Sequence, residues 1–112
     1  MALTMTRKKV EGVRTGEVTL HSALAASDDG DWVDMEGIGD WSIHVSGIGT
    51  DTLKAHGSNK ATIPADGDSE ITLGSDITAD GIREYSAPIK WFKVSVVRVD
   101  GTITVVLKAR NH

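Results

Sequence analysis

The side chains in this chain that could do chemistry are four histidines, three tryptophans and a surplus of carboxylates. His21, His44, His56 and His112 stand too far apart for the short ligand spacing of a zinc site. Asp28-Asp29-Gly30-Asp31 with Asp34 and Glu36, and Asp66-Gly67-Asp68 with Glu70, gather oxygen ligands of the kind calcium takes. Neither follows the EF-hand frame, with its glycine at the sixth position and glutamate at the twelfth. Asp and Gly together are equally the residues of surface turns. Gly47-Ile48-Gly49 lacks the third glycine and the following helix of a dinucleotide fingerprint, and Ser46 is not set in a Gly-x-Ser-x-Gly elbow. The absence of cysteine excludes thiolate metal sites, cysteine nucleophiles and a disulfide framework. With 16 acidic residues, a carboxylate pair suited to glycoside hydrolysis has no specificity as a signal. Trp32, Trp41 and Trp91 offer faces for sugar stacking, but in strand segments such large rings more often serve a core or a subunit interface. The residues therefore predict no catalytic, cofactor-binding or metal-binding site.

The elements that would position these side chains are strands. In residues 41–46, Trp41, Ile43 and Val45 alternate with Ser42, His44 and Ser46, the pattern of a half-buried strand. Residues 91–99 and 102–109 alternate in the same way about Asp100-Gly101, a dipeptide suited to a two-residue hairpin turn. Pairing Val99 with Thr102 would place Phe92, Val94, Val96, Ile103, Val105 and Leu107 on one face. Lys93, Ser95, Val97, Val99, Thr102, Thr104, Val106 and Lys108 would then share the other. Shorter strands are expected near residues 18–24, 32–35, 52–56, 62–63 and 70–73, with Gly- and Asp-rich turns between them. No window of about 11 residues carries a helical stripe. The expected architecture is all-β, an antiparallel β-sandwich or jelly roll with a C-terminal β-hairpin and an N-terminal arm. Residues 1–16 read as an arm or loosely held strand and residues 17–112 as a single domain, a size that can bury its own core.

The net charge of −4 hides an uneven distribution. Residues 15–82 hold 13 acidic residues against Lys54 and Lys60, whereas the two ends hold ten basic residues against three acidic ones. This suits either solvated acidic loops with protected strand edges, or a basic terminus of one subunit meeting acidic loops of another. Net acidity argues against nucleic acid as a partner, because phosphate binding needs a concentrated basic face. No run reaches the length of a membrane span, and the N-terminal charge order does not fit a secretory signal.

Three stretches carry a resemblance. They are Gly39-Asp40-Trp41-Ser42-Ile43-His44-Val45-Ser46-Gly47, the Asp66-Gly67 turn leading to Ile71-Thr72-Leu73, and Pro88-Ile89-Lys90-Trp91-Phe92-Lys93-Val94 with its return strand Gly101-Thr102-Ile103-Thr104-Val105. In rhythm and character they resemble small β-rich structural proteins of tailed bacteriophages, most closely the capsid decoration, or cement, proteins. The resemblance implies a jelly-roll or similar module without catalytic residues or cofactor. It implies a virion protein of the capsid surface, made in the host cytoplasm. Its partners would be the major capsid protein and copies of itself, as a homotrimer, with neither nucleic acid nor membrane involved. Arg7, Lys8 and Lys9 are the residues that a terminal arm would use to contact a neighbouring subunit or the shell. A phage tail or head–tail component, or a carbohydrate-binding or adhesive β module, are the alternative expectations.

Overall fold

A computed structural model describes the backbone of residues 6–10, 13–35, 38–64, 71–86 and 89–111, and within these the side chains of residues 16–109. The expected Asp66-Gly67 turn, the Glu70 end of its strand, and Gly37, Pro88 and His112 lie outside the described residues. Nine strands are described: β1 (Thr6–Val10), β2 (Val13–Leu24), β3 (Val33–Asp34), β4 (Asp40–Ser46), β5 (Thr52–Ser58), β6 (Ile71–Thr72), β7 (Gly81–Ser86), β8 (Trp91–Val97) and β9 (Ile103–Asn111). They form two antiparallel sheets, one in the order β1-β2-β9-β4-β7 and the other β3-β8-β5-β6. The chain is an all-β sandwich, as its alternating patterns predict.

Period-2 alternation decides what each sheet turns inward. The five-stranded sheet buries Val18 and Leu20 of β2, Trp41, Ile43 and Val45 of β4, and Ile103, Val105, Leu107 and Ala109 of β9. Leu53 and Ala55 of β5 meet them from the other sheet, with Phe92, Val94 and Val96 of β8. A fully buried side chain of this size contributes about 1.5–3 kcal/mol, so the shared interior is the main source of stability. An aromatic trio ties the sheets together. Trp41 stacks on Tyr85 with ring centroids 5.4 Å apart, and Phe92 meets Trp41 edge-on at 5.4 Å. Burial raises the Tyr85 hydroxyl above its ordinary pKa against the opposing charge of Arg83.

Two expectations are corrected. The six inward residues expected around Asp100-Gly101 are all buried, but β8 and β9 do not form a hairpin. β8 pairs with β3 and β5, β9 pairs with β2 and β4, and the connection between them passes from one sheet to the other. A type I′ turn would need positive φ at both central residues, and neither Asp100 nor Gly101 adopts it. Instead the buried carboxylate of Asp51 accepts the backbone N–H groups of Val99 and, at 3.0 Å, of Asp100. The corner is thereby held open. Val97 and Val106, expected on one face of a hairpin, accordingly belong to different sheets. The strand expected at residues 62–63 is likewise absent; that segment is a bend and irregular chain.

At the N-terminal end, β1 pairs with β2 in the register Thr6–Glu17, Arg7–Gly16, Lys8–Thr15, Lys9–Arg14 and Val10–Val13. β2 continues across residues 16 and 17 and pairs with β9 from Arg14 opposite Asn111 to Leu24 opposite Ile103. The expected arm and domain thus share one strand.

Candidate functional site

Histidines are dispersed by the fold as by the sequence. His44 is exposed on β4. His21 lies buried at a register shift of β2 and reaches across to the other sheet, where its Nε2 is 2.7 Å from the Val94 carbonyl oxygen. His56, on β5, places Nε2 2.9 Å from the Ser95 hydroxyl. Among the described residues, no group of three or more His, Asp or Glu side chains is arranged to hold a metal ion.

Four aspartates act on the chain's own backbone. Asp28 Oδ1 accepts the Gly30 N–H at 2.7 Å, a local turn bond. Three more converge on residues 47–51, the turn after β4. Asp51 accepts the Gly49 N–H at 2.9 Å, Asp80 accepts Ile48 N–H at 2.9 Å, and Asp100 accepts Thr50 N–H at 2.7 Å. The bond from Val99 is the main reason that Asp51 titrates low, at about 2. Desolvation opposes it, and the N–H groups of Gly49, Asp100 and Gly101 reinforce it. The same turn gives its Gly47 carbonyl to Thr102 N–H at 3.1 Å. Gly47 sits at φ +83°, and a Cβ there would run into the Thr102 carbonyl oxygen. The Gly47-Ile48-Gly49 stretch that resembled an incomplete nucleotide loop is therefore a clamp between β4–β5 and the β8–β9 corner. Sequence reasoning missed Asp51, for which the only signal is an Asp two residues after a Gly-rich turn.

All three tryptophans are inside, at 1%, 3% and 8% exposure for Trp32, Trp41 and Trp91. Their ring faces are also occupied. Trp41 carries Tyr85, Lys90 Nζ lies 5.1 Å from the Trp91 centroid, and Lys93 Nζ lies 4.7 Å from that of Trp32. Lys90 also bridges to Asp34 at 3.2 Å, and the Trp91 indole N–H donates to the Lys60 carbonyl at 3.1 Å. Sugar stacking on these rings would require displacing the protein's own side chains. Lys93 is a further residue that the sequence concealed. It lies only 2% exposed on the outer side of β8, opposite His56 in register. Nothing in the Phe-Lys-Val alternation distinguishes it from a solvated lysine.

The two ends of β9 contrast in the charge of the residues around them. Arg7, Lys8 and Lys9 lie on β1, and only their backbone is described. Register sets them beside Gly16, Thr15 and Arg14 of β2, and those beside Ala109, Arg110 and Asn111 of β9. The basic segments from the two ends of the sequence thus form one three-stranded ribbon. The β8–β9 corner is its opposite, with exposed Asp80 and Asp100 and the apolar Val97 and Val99, 57% and 60% exposed.

A prophage-derived protein has this fold. The SPBc2 prophage-derived protein YomS superposes with a TM-score of 0.71 at 18% identity, over 93% of this chain and 99% of that one. Two other solved structures are more distant. NMB1881 of Neisseria meningitidis has a TM-score of 0.39 at 10% identity, covering 94% of this chain and 81% of its own. The periplasmic g-type lysozyme inhibitor PliG of Aeromonas hydrophila has 0.42 at 12%, covering 98% and 96%. The sequence matches no protein-family model and has no match among curated proteins.

Proposed function

We propose that this chain is a non-enzymatic structural protein of a tailed-phage virion, a head decoration protein that binds the major capsid protein on the shell surface as a homotrimer. It is made in the host cytoplasm and uses neither cofactor nor nucleic acid nor membrane. The observation that carries this reading is the match of nearly the whole chain to nearly the whole of a prophage-derived protein, so that the shared unit is the sandwich itself. The indole faces of Trp32 and Trp91 and the Asp51 carboxylate give it further support, because they are engaged within the fold. Many copies on a shell add their weak contacts by multivalency, so no single deep site is needed. Arg7, Lys8 and Lys9, on an edge strand that β2 alone flanks among the described strands, are the residues assigned to a neighbouring subunit or the shell.

The test is co-sedimentation with expanded empty heads of the phage concerned, followed by cryo-EM of the pellet. Density at regular capsid positions is the expected result. Binding to tails alone would replace the head assignment with a tail one, and binding to neither would overturn the virion reading. Removing residues 1–10 should weaken head binding while circular dichroism stays that of a β protein. Unchanged head affinity would reject the role given to the basic strand.

A further inference from the structure

Lys93 is a buried cation to which the fold supplies no anion. Period-2 alternation turns it to the outer side of β8, yet it is 2% exposed. Trp32 lies against it. The segment carrying this ring is pinned on both sides, by the paired backbone bonds between Asp28 and Val96 and by Val33 opposite Phe92. Continuing that register brings residue 32 opposite residue 93, and Lys93 Nζ accordingly lies 4.7 Å from the Trp32 centroid. The other outer-side neighbours of Lys93 are Trp91 and Ser95 along β8, His56 opposite it on β5, and Thr72 beyond His56 on β6. None is a carboxylate. Asp34, opposite Trp91, is engaged by Lys90 at 3.2 Å. Among the described residues, Lys93 makes neither an ion pair nor a hydrogen bond.

Burial takes water from an ammonium group, and the face of an indole restores only part of what is lost. The same indole holds a second unanswered donor. Trp32 is 1% exposed, and its Nε1–H is buried without an acceptor. Nε1 belongs to the ring whose centroid lies 4.7 Å from Nζ, so the two donors stand within one side chain's width of each other. Buried donors are normally paired, and a cation beside a neutral N–H makes a strong anion receptor. We propose that Lys93 and Trp32 bind a single carboxylate group, one oxygen taken by the Lys93 ammonium and the other by the Trp32 indole N–H. A carboxylate brings one negative charge and two acceptor oxygens, which matches one cation and one neutral donor. Ser95, half-buried, and Val97, 57% exposed, continue the outer side of β8 into solvent, and the ligand reaches Lys93 along that side. A free small acid and an Asp or Glu side chain of another protein share this chemistry, and the test separates them. No capsid enters that test, so this inference and the virion reading stand or fall separately.

The experiment follows the indole N–H resonances of the isotope-labelled full chain by NMR, with Trp32→Phe assigning the Trp32 signal. The probes are sodium acetate and a blocked Gly-Asp-Gly peptide, with sodium chloride at matched ionic strength as the control. The Trp32 resonance should shift and saturate with at least one probe. The same probe should raise the melting temperature, because it binds the folded state. Lys93→Met removes the charged partner and should weaken the response at least about tenfold, with circular dichroism unchanged. Trp32→Phe keeps a ring against Lys93 but removes the N–H, and should diminish the rise in melting temperature. Tighter binding of the peptide than of acetate supports a protein side chain as the source, and the reverse order supports a free acid. No saturable shift with either probe, a shift that survives Lys93→Met, or an equal response to chloride would each overturn the proposal. If Lys93→Met does not fold, Lys93→Gln takes its place with the same required outcomes.

Discussion

Gly101 offers a sharp test of the corner that carries the chain between sheets. A Cβ built there would overlap the Asp51 carboxylate and come to 2.5 Å from the Gly47 carbonyl oxygen and 3.0 Å from the Gly49 nitrogen. Two of these neighbours are backbone atoms, so no side-chain rotation relieves the contact, and the turn at residues 47–51 must withdraw. Overpacking of this kind costs about 1–3 kcal/mol. Withdrawal also gives up the Thr102 to Gly47 backbone bond, worth about 1 kcal/mol net. Gly101→Ala should therefore destabilise by about 2–4 kcal/mol, a drop of roughly 10 °C in melting temperature for a domain this size. Gly101→Asn should cost more, because the larger side chain enters the same space. A hairpin turn would reverse that order: asparagine tolerates positive φ and would be the milder change. Urea unfolding followed by the fluorescence of the buried tryptophans gives both values. Asparagine milder than alanine, or an alanine variant within about 0.5 kcal/mol of wild type, would refute the crowded-corner argument.

Asp51 should make stability pH-dependent in acid. Its folded pKa of about 2 lies below the ordinary 3.8, so its contribution is full above about pH 4 and is lost as the pH falls towards 2. Asp51→Asn should be destabilised at neutral pH, and its denaturation midpoint should converge on that of the wild type near pH 2. Parallel pH profiles would count against the assigned role. Phe92→Ala removes the ring that joins both partners of the Trp41–Tyr85 stack and should cost about 3–5 kcal/mol. Loss of near-ultraviolet circular dichroism at constant β content would report the disrupted aromatics. Lys93→Met keeps the length of a buried side chain and removes its charge, so equilibrium unfolding should show stability equal to or above wild type. Lys93→Glu, which sets an anion against the Trp32 face, should be strongly destabilised in the same assay.

The sequence discloses which way side chains point far better than which strands are partners. Ile103, Val105 and Leu107 alternate because one face is buried, and that holds whether β9 pairs with β8 or lies across the core from it. Phe92, Val94 and Val96 satisfy the same pattern from the opposite sheet. Two strands facing each other through a core and two strands sharing a face of one sheet give identical alternation, and Asp-Gly then tips the reading towards a hairpin. What decides otherwise is Asp51, which is distant in sequence and takes the N–H groups a tight turn would have used. Consistent with this, β1–β2 and β5–β6 are the consecutive strands that also pair among those described. The charges follow the same logic. That both ends are basic is plain in the sequence, but that they lie side by side depends on β2 pairing with β9 between residues at opposite ends of the chain. The same pairing sets Lys9 opposite Arg14, like charges whose meeting costs stability and which no local pattern in the sequence brings together.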